Sequence, residues 1–169
     1  MSAYLLAFLI GVIAGLRAIT APAIVSLATV FGWMHLMYTP LAFLGYTPSP
    51  YILSALAIVE LIADKLPKTP SRKAPLGFGV RLITGGICGA AIGASSLAPL
   101  AGTLIMGVIG SIAGTLGGYD FRLQLARAVG GKDLPIALIE DAIAIGGSFL
   151  IVIWISGRLS ASVPVNDYI

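Results

Sequence analysis

Charge is scarce in this chain, and that scarcity restricts what it can fold into. Ten Lys and Arg and seven Asp and Glu make up 10% of 169 residues, while 58% are hydrophobic. A soluble domain carries roughly 25% charged residues because its surface must be wetted. With a mean hydropathy of +1.01, this chain cannot supply such a surface. At roughly 20 residues per crossing it could hold up to about eight membrane spans, fewer once loops are subtracted. A soluble enzyme domain, a disordered tail and a disulfide scaffold are excluded, and the expected partner is the lipid bilayer. The net charge of +3 is too small and too scattered for a nucleic-acid footprint, so no nucleic-acid partner is expected. Cys88 stands alone inside an apolar run and reads as packing.

The expected fold is an all-α, polytopic transmembrane helical bundle forming a single integral membrane domain over 1–169. Apolar runs bounded by Pro, Gly or charge predict six helices, at about 3–20, 22–38, 50–66, 77–95, 98–118 and 134–156. An interfacial helix is expected at about 119–132, where Phe121, Leu123, Leu125 and Val129 alternate with Arg122, Arg127 and Lys132. The Pro- and Gly-rich segment 39–49 reads as a loop or shallow re-entrant turn. The first 16 residues are apolar like a signal-peptide core. No positive region precedes them and Arg17 follows, so their removal is not expected.

Short loops rich in Lys and Arg stay cytoplasmic. With six spans, Arg17, Lys65, Lys68, Arg72, Lys73, Arg81, Arg122, Arg127 and Lys132 share one side, and only Arg158 lies opposite. Both termini are therefore expected outside. Trp33, His35 and Tyr38 suit an outer aromatic belt.

Glycine recurs every fourth residue at Gly85, Gly89 and Gly93, again at Gly110, Gly114 and Gly118, and once at Gly11 and Gly15. Residues four apart share a helix face, and missing side chains let two backbones approach closely. Such a glycine zipper predicts that helices four and five pack as a tight hairpin. A homo-oligomeric or pore-lining glycine face is the alternative.

Glu60, Asp64, Glu140 and Asp141 lie in or beside apolar helices. Counting at the helical rise from the expected surfaces places Glu60 about 15 Å deep, Glu140 about 10 Å deep, and Arg17 at a similar height in the inner half. An isolated charge there costs at least about 2.5 kcal/mol, so each needs a partner. The economical arrangement pairs Arg17 with Glu60, Glu140 or both, leaving Asp64 and Lys65 at the water boundary. Ion pairs that merely fix helix register are the bland alternative.

Ala57-Ile58-Val59-Glu60 matches Ala137-Leu138-Ile139-Glu140, which raises a 3+3 inverted architecture as one reading. Both glutamates approach from the inner side, however, where a strict inverted repeat needs opposite depths. In 65–75, three prolines hold a loop whose Lys68, Ser71 and Arg72, with Arg122, could grip an anion or lipid head group. Ala21-Pro22 can break or restart a helix. A single His, His35, leaves no catalytic triad or His-rich metal site, and no phosphate loop or dinucleotide fingerprint is present. No cofactor is expected, and metal binding by the carboxylates stays open.

The stretches GLRAITAPA at 15–23, ELIADKLPKTPSR at 60–72 and ALIEDAIAIGG at 137–147 resemble a family of small bacterial multi-pass membrane proteins known only as a domain of unknown function. The resemblance covers nearly the whole chain and implies a bacterial inner-membrane location. It implies that Arg17, Pro22, Glu60, Asp64, Pro67, Ser71, Arg72, Glu140 and Asp141 are the family's recurrent polar positions. It implies no reaction.

Three functions compete. The leading one is a transporter or channel for a small ion, a proton-coupled solute or an anionic lipid, with Glu60, Asp64, Glu140 and Asp141 as ion or proton sites and Arg17 as their partner. A non-catalytic scaffold would use the glycine faces to dock a partner. An enzyme acting on a lipid phosphate would hold Mg²⁺ on Glu60, Asp64 and Asp141.

Overall fold

A computed structural model describes residues 1–65, 75–128 and 133–162, and among these the chain is a bundle of six α-helices with no strand. They are α1 (Ala3–Leu16), α2 (Thr20–Val30), α3 (Pro48–Ala63), α4 (Pro75–Ser95), α5 (Leu100–Ala128) and α6 (Asp133–Ser162), with a 3-10 turn at Ala42–Gly45. Ser2 caps α1 by accepting from the Leu5 amide, and Pro48 starts α3 where a helix has no use for its N–H.

Helix length divides the molecule. Apolar segments Pro75–Ser95, Leu100–Arg122 and Pro135–Arg158 are long enough to cross a bilayer, whereas α1, α2 and α3 have only 14, 11 and 16 residues. At 1.5 Å per residue the short three reach about 21, 16 and 24 Å, less than a hydrocarbon core of roughly 30 Å.

The first two helices are thus shorter than their apolar runs predict. α1 stops at Leu16, and Arg17 is extended (φ −136°, ψ 107°). α2 restarts at Thr20, with Pro22 tolerated in its first turn. Residues 31–38, read as helix from hydropathy, instead turn at Gly32 (φ +74°) and tuck Met34 and Leu36 into the core. The expected loop at 39–49 contains the 3-10 turn, anchored where the Ser26 hydroxyl donates to the Leu44 carbonyl at 2.5 Å. At the other limit, α5 runs unbroken past Gly118 to Ala128, so 119–128 continues a spanning helix rather than forming a separate interfacial one. Nothing between Gly117 and Tyr119 breaks its ladder, since glycine only weakens a helix.

Met1, Ser96, Leu97 and Arg158 meet at one end, where the Arg158 guanidinium donates to the Met1 carbonyl. The His35 amide reaches Ser95 there at 3.4 Å, so α2 climbs back to the end from which α1 descended. We call this the terminal end. Arg17, Lys65 and Arg122 lie toward the opposite, basic end.

α1 packs most extensively on α5, and α4 joins them. A Cβ on Gly11 would strike the Gly107 carbonyl, and one on Gly89 would strike that of Thr103. The α4–α5 hairpin forms through Gly85, Gly89 and Gly93, but their counterparts are Thr103, Gly107 and Ser111 rather than Gly110 and Gly114. Gly110 and Gly114 face α1 at Phe8 and Val12, because they lie on another side of α5; Gly15 meets Ser111 and Thr115, and Gly118 is buried. Around this seam, Ile52, Ile58, Val59, Ile105, Ile109, Leu138, Ile139, Leu150, Ile153 and Trp154 are exposed. An apolar girdle of that extent belongs in lipid, and the chain is a helical membrane protein.

Candidate functional site: a charged junction at a helix break

The site begins with the interruption between α1 and α2. Ending α1 at Leu16 lets the Arg17 amide close the last helical bond to the Ile13 carbonyl at 2.8 Å. The amides of Ala18 and Ile19 then precede α2 with no carbonyl one turn back to receive them. Glu60, near the end of α3, supplies the acceptors: Ala18 N donates to Oε1 at 2.7 Å and Ile19 N to Oε2 at 3.0 Å. One carboxylate therefore caps a helix to which it is not covalently adjacent, at the end where the helix dipole favours negative charge.

Arg17 has no exposed surface. Its NH1 pairs with Asp64 at the end of α3, and its NH2 lies 2.5 Å from Oδ1 of Asp141 in α6. Asp141 also takes Lys65 on Oδ2 at 3.1 Å. Arg17 thus pairs with Asp64 and Asp141, not with Glu60 or Glu140, and Asp64, its side chain 14% exposed, joins the cluster from the edge where Lys65 is exposed. The reason is reach: Glu60 is consumed by the backbone, and Asp64 lies one turn farther along the same helix face. Glu140 points to α5, where Arg122 NH1 lies 3.7 Å from Oε2.

The five residues expected at an ion or substrate site therefore gather at one level, divided between an Arg17–Asp64–Asp141–Lys65 group, a Glu60 cap and a Glu140–Arg122 pair. Lys68, Ser71 and Arg72, read as anion contacts, lie outside the described residues, as does Pro67. Charge-assisted bonds at this burial are strong individually, yet replacing a buried triad by apolar groups is often neutral. Stability alone is a weak reason for this group to exist.

Sequence reasoning missed one partner at the site and one buried cation on α4. Lys65, expected at the water boundary, pairs with Asp141. Arg81, read only as a topology-setting cation, is 7% exposed, with NH1 on the Gly77 carbonyl at 3.2 Å. Its position six residues inside the apolar run that starts at Pro75 was the available signal.

Asp141 lies eight residues, about 12 Å, beyond the start of α6. The short helices consequently stop well inside the basic end. Among the described residues no three Asp, Glu, His or Cys side chains converge as a metal-binding group. Asp64 and Asp141 are both directed at Arg17.

No curated protein and no solved structure matches the chain. A family model matches over a stretch that takes in both the glycine seam and the charged junction. Residues 4–154 correspond to the domain of unknown function DUF4126, and the chain belongs to that family.

Proposed function

We propose that the protein is a proton-linked transporter of a small solute in the bacterial inner membrane, with the Arg17–Asp64–Asp141 junction as its gate. The supporting observation is a fully buried arginine held by carboxylates from two other helices at the turn between α1 and α2. Intramembrane ionisable groups of this kind mark ion and proton paths, and irregular backbone is tolerated at membrane depth where it lines a cavity or is buried in protein. Protonating either aspartate weakens its hold on Arg17. The α1–α2 break, α3 and α6 then lose their common tie. The concentration of cations at the basic end orients that end to the cytoplasm and both termini to the periplasm.

The test is proton flux. Purified protein in liposomes carrying a pH-sensitive dye is given an imposed pH gradient, with valinomycin and equal potassium chloride on both sides holding the potential at zero. Wild type is expected to acidify or alkalinise the lumen according to the sign of the gradient, and Asp141→Asn to abolish that response. A purely structural junction predicts no flux above empty liposomes in either protein, and that result would overturn the proposal.

A further inference from the structure

The α2 N-terminus holds more donors than a simple cap requires. Ala18 and Ile19 present two adjacent backbone N–H groups, both directed at one carboxylate. On either side of them in the chain, Arg17 Nε and Thr20 Oγ1 are buried and find no hydrogen-bond acceptor. Arg17 is 0% and Thr20 3% exposed, so water at the surface cannot satisfy them. Two orphan donors flanking two aimed amides, at the positive end of an 11-residue helix, form a nest with the chemistry of an anion site.

We infer that this nest is a binding site for a small monovalent anion, and that the Glu60 carboxylate is its tethered occupant in the conformation seen here. The inference rests on the proton-linked reading above and names its co-substrate. The charged groups facing the nest are Arg17 at the junction, Asp64 and Lys65 at the end of α3, and Asp141 from α6. Glu140 on α6, Asp120 and Arg122 on α5 and Arg81 on α4 also lie toward the basic end. With Glu60 ionised, three carboxylates oppose two cations plus roughly half a charge from the helix terminus. When Glu60 takes up a proton, that balance changes sign and favours an incoming anion. The carboxylic acid releases both N–H groups and the anion accepts them in its place. One proton and one anion thus occupy the site together, and their passage is electrically silent, driven by a pH or anion gradient rather than by the membrane potential.

Two measurements on the full-length protein separate this from the proton-linked reading. In detergent, thermal unfolding of Glu60→Ala and wild type is followed in sodium chloride or nitrate against sodium gluconate at equal ionic strength. At about ten times the dissociation constant, Glu60→Ala should gain about 3–6 °C while wild type at neutral pH gains nothing. Glu60→Gln, which keeps one acceptor on the helix terminus, serves if the alanine variant does not fold. In liposomes, a chloride or nitrate gradient should drive proton uptake in wild type, and Glu60→Gln should carry radiolabelled chloride with proton uptake reduced at least tenfold. Proton flux indifferent to anion gradients, together with no anion-dependent stabilisation of either variant, overturns the anion site and leaves the proton-linked reading intact. Anion stabilisation of Glu60→Ala without proton flux in wild type supports the anion site and overturns that reading instead.

Discussion

α1 is held at two places by opposite means. Along its length it lies against α5 through Gly11 and Gly15, backbone on backbone, with no side chain able to move out of the way. At its last residue it is held by charge, through Arg17 to Asp64 and Asp141. The first contact depends on van der Waals fit and has one geometry. The second depends on protonation state and can be released without disturbing the helix above it. The comparison separates a rigid seam of α1, α4 and α5 from a junction that ties in the short α2, α3 and the basic end of α6.

The largest expected effect lies at the junction. Arg17→Met takes the arginine from Asp64 and leaves Asp141 with Lys65, and should destabilise by about 3–5 kcal/mol, read from thermal or SDS unfolding. A loss under about 1 kcal/mol would mean that water already screens the aspartates and that the contrast with the seam is overdrawn. Next comes the seam itself. Gly107→Ala places a methyl against the Gly85 carbonyl and Gly89, where only backbone can yield, and should cost about 1–3 kcal/mol. Gly117→Ala, with nothing within 4 Å, should instead be neutral or stabilise by up to about 1 kcal/mol. Equal effects at the two glycines would remove the seam as a special region.

Smaller effects refine the picture. Glu60→Gln weakens a carboxylate cap and should cost about 1 kcal/mol, with protection of the Ala18 and Ile19 amides in hydrogen exchange reduced and that of Gly11 and Gly15 unchanged. Should exchange rise equally in both places, the junction and the seam would be one cooperative unit. Leu97, exposed in the α4–α5 turn with φ +54°, strains a position that suits glycine. Leu97→Gly should stabilise by about 1 kcal/mol, away from both regions and additively with each.

The helical membrane bundle was legible because charge scarcity and apolar run length survive any rearrangement of the chain. So was the common level of Arg17, Glu60 and Glu140 along the bundle, which needs only a constant rise per residue. Their partners were not legible. Depth counting assumes unbroken helices, and the break after Leu16 created two backbone donors that captured Glu60, a competitor no side-chain inventory contains. Helix rotation was equally hidden: a period of four identified Gly110 and Gly114 as a packing face but not which neighbour it meets. Gly107, one turn before Ser111, was overlooked because the face it shares with Thr103 and Ser111 is small rather than glycine-only. Lengths failed for the same reason at 31–38, where hydropathy cannot distinguish a spanning helix from a buried turn.

The central claim is that the junction exists to be switched rather than to stabilise, and one variant tests it directly. Arg17→Met, Asp64→Asn and Asp141→Asn combined remove the buried triad as a unit, so the bundle should unfold within about 1–2 kcal/mol of wild type. Reconstituted and given a pH gradient in chloride medium, this folded variant is predicted to show proton flux no higher than empty liposomes. Proton flux at the wild-type rate from the triple variant would contradict the account.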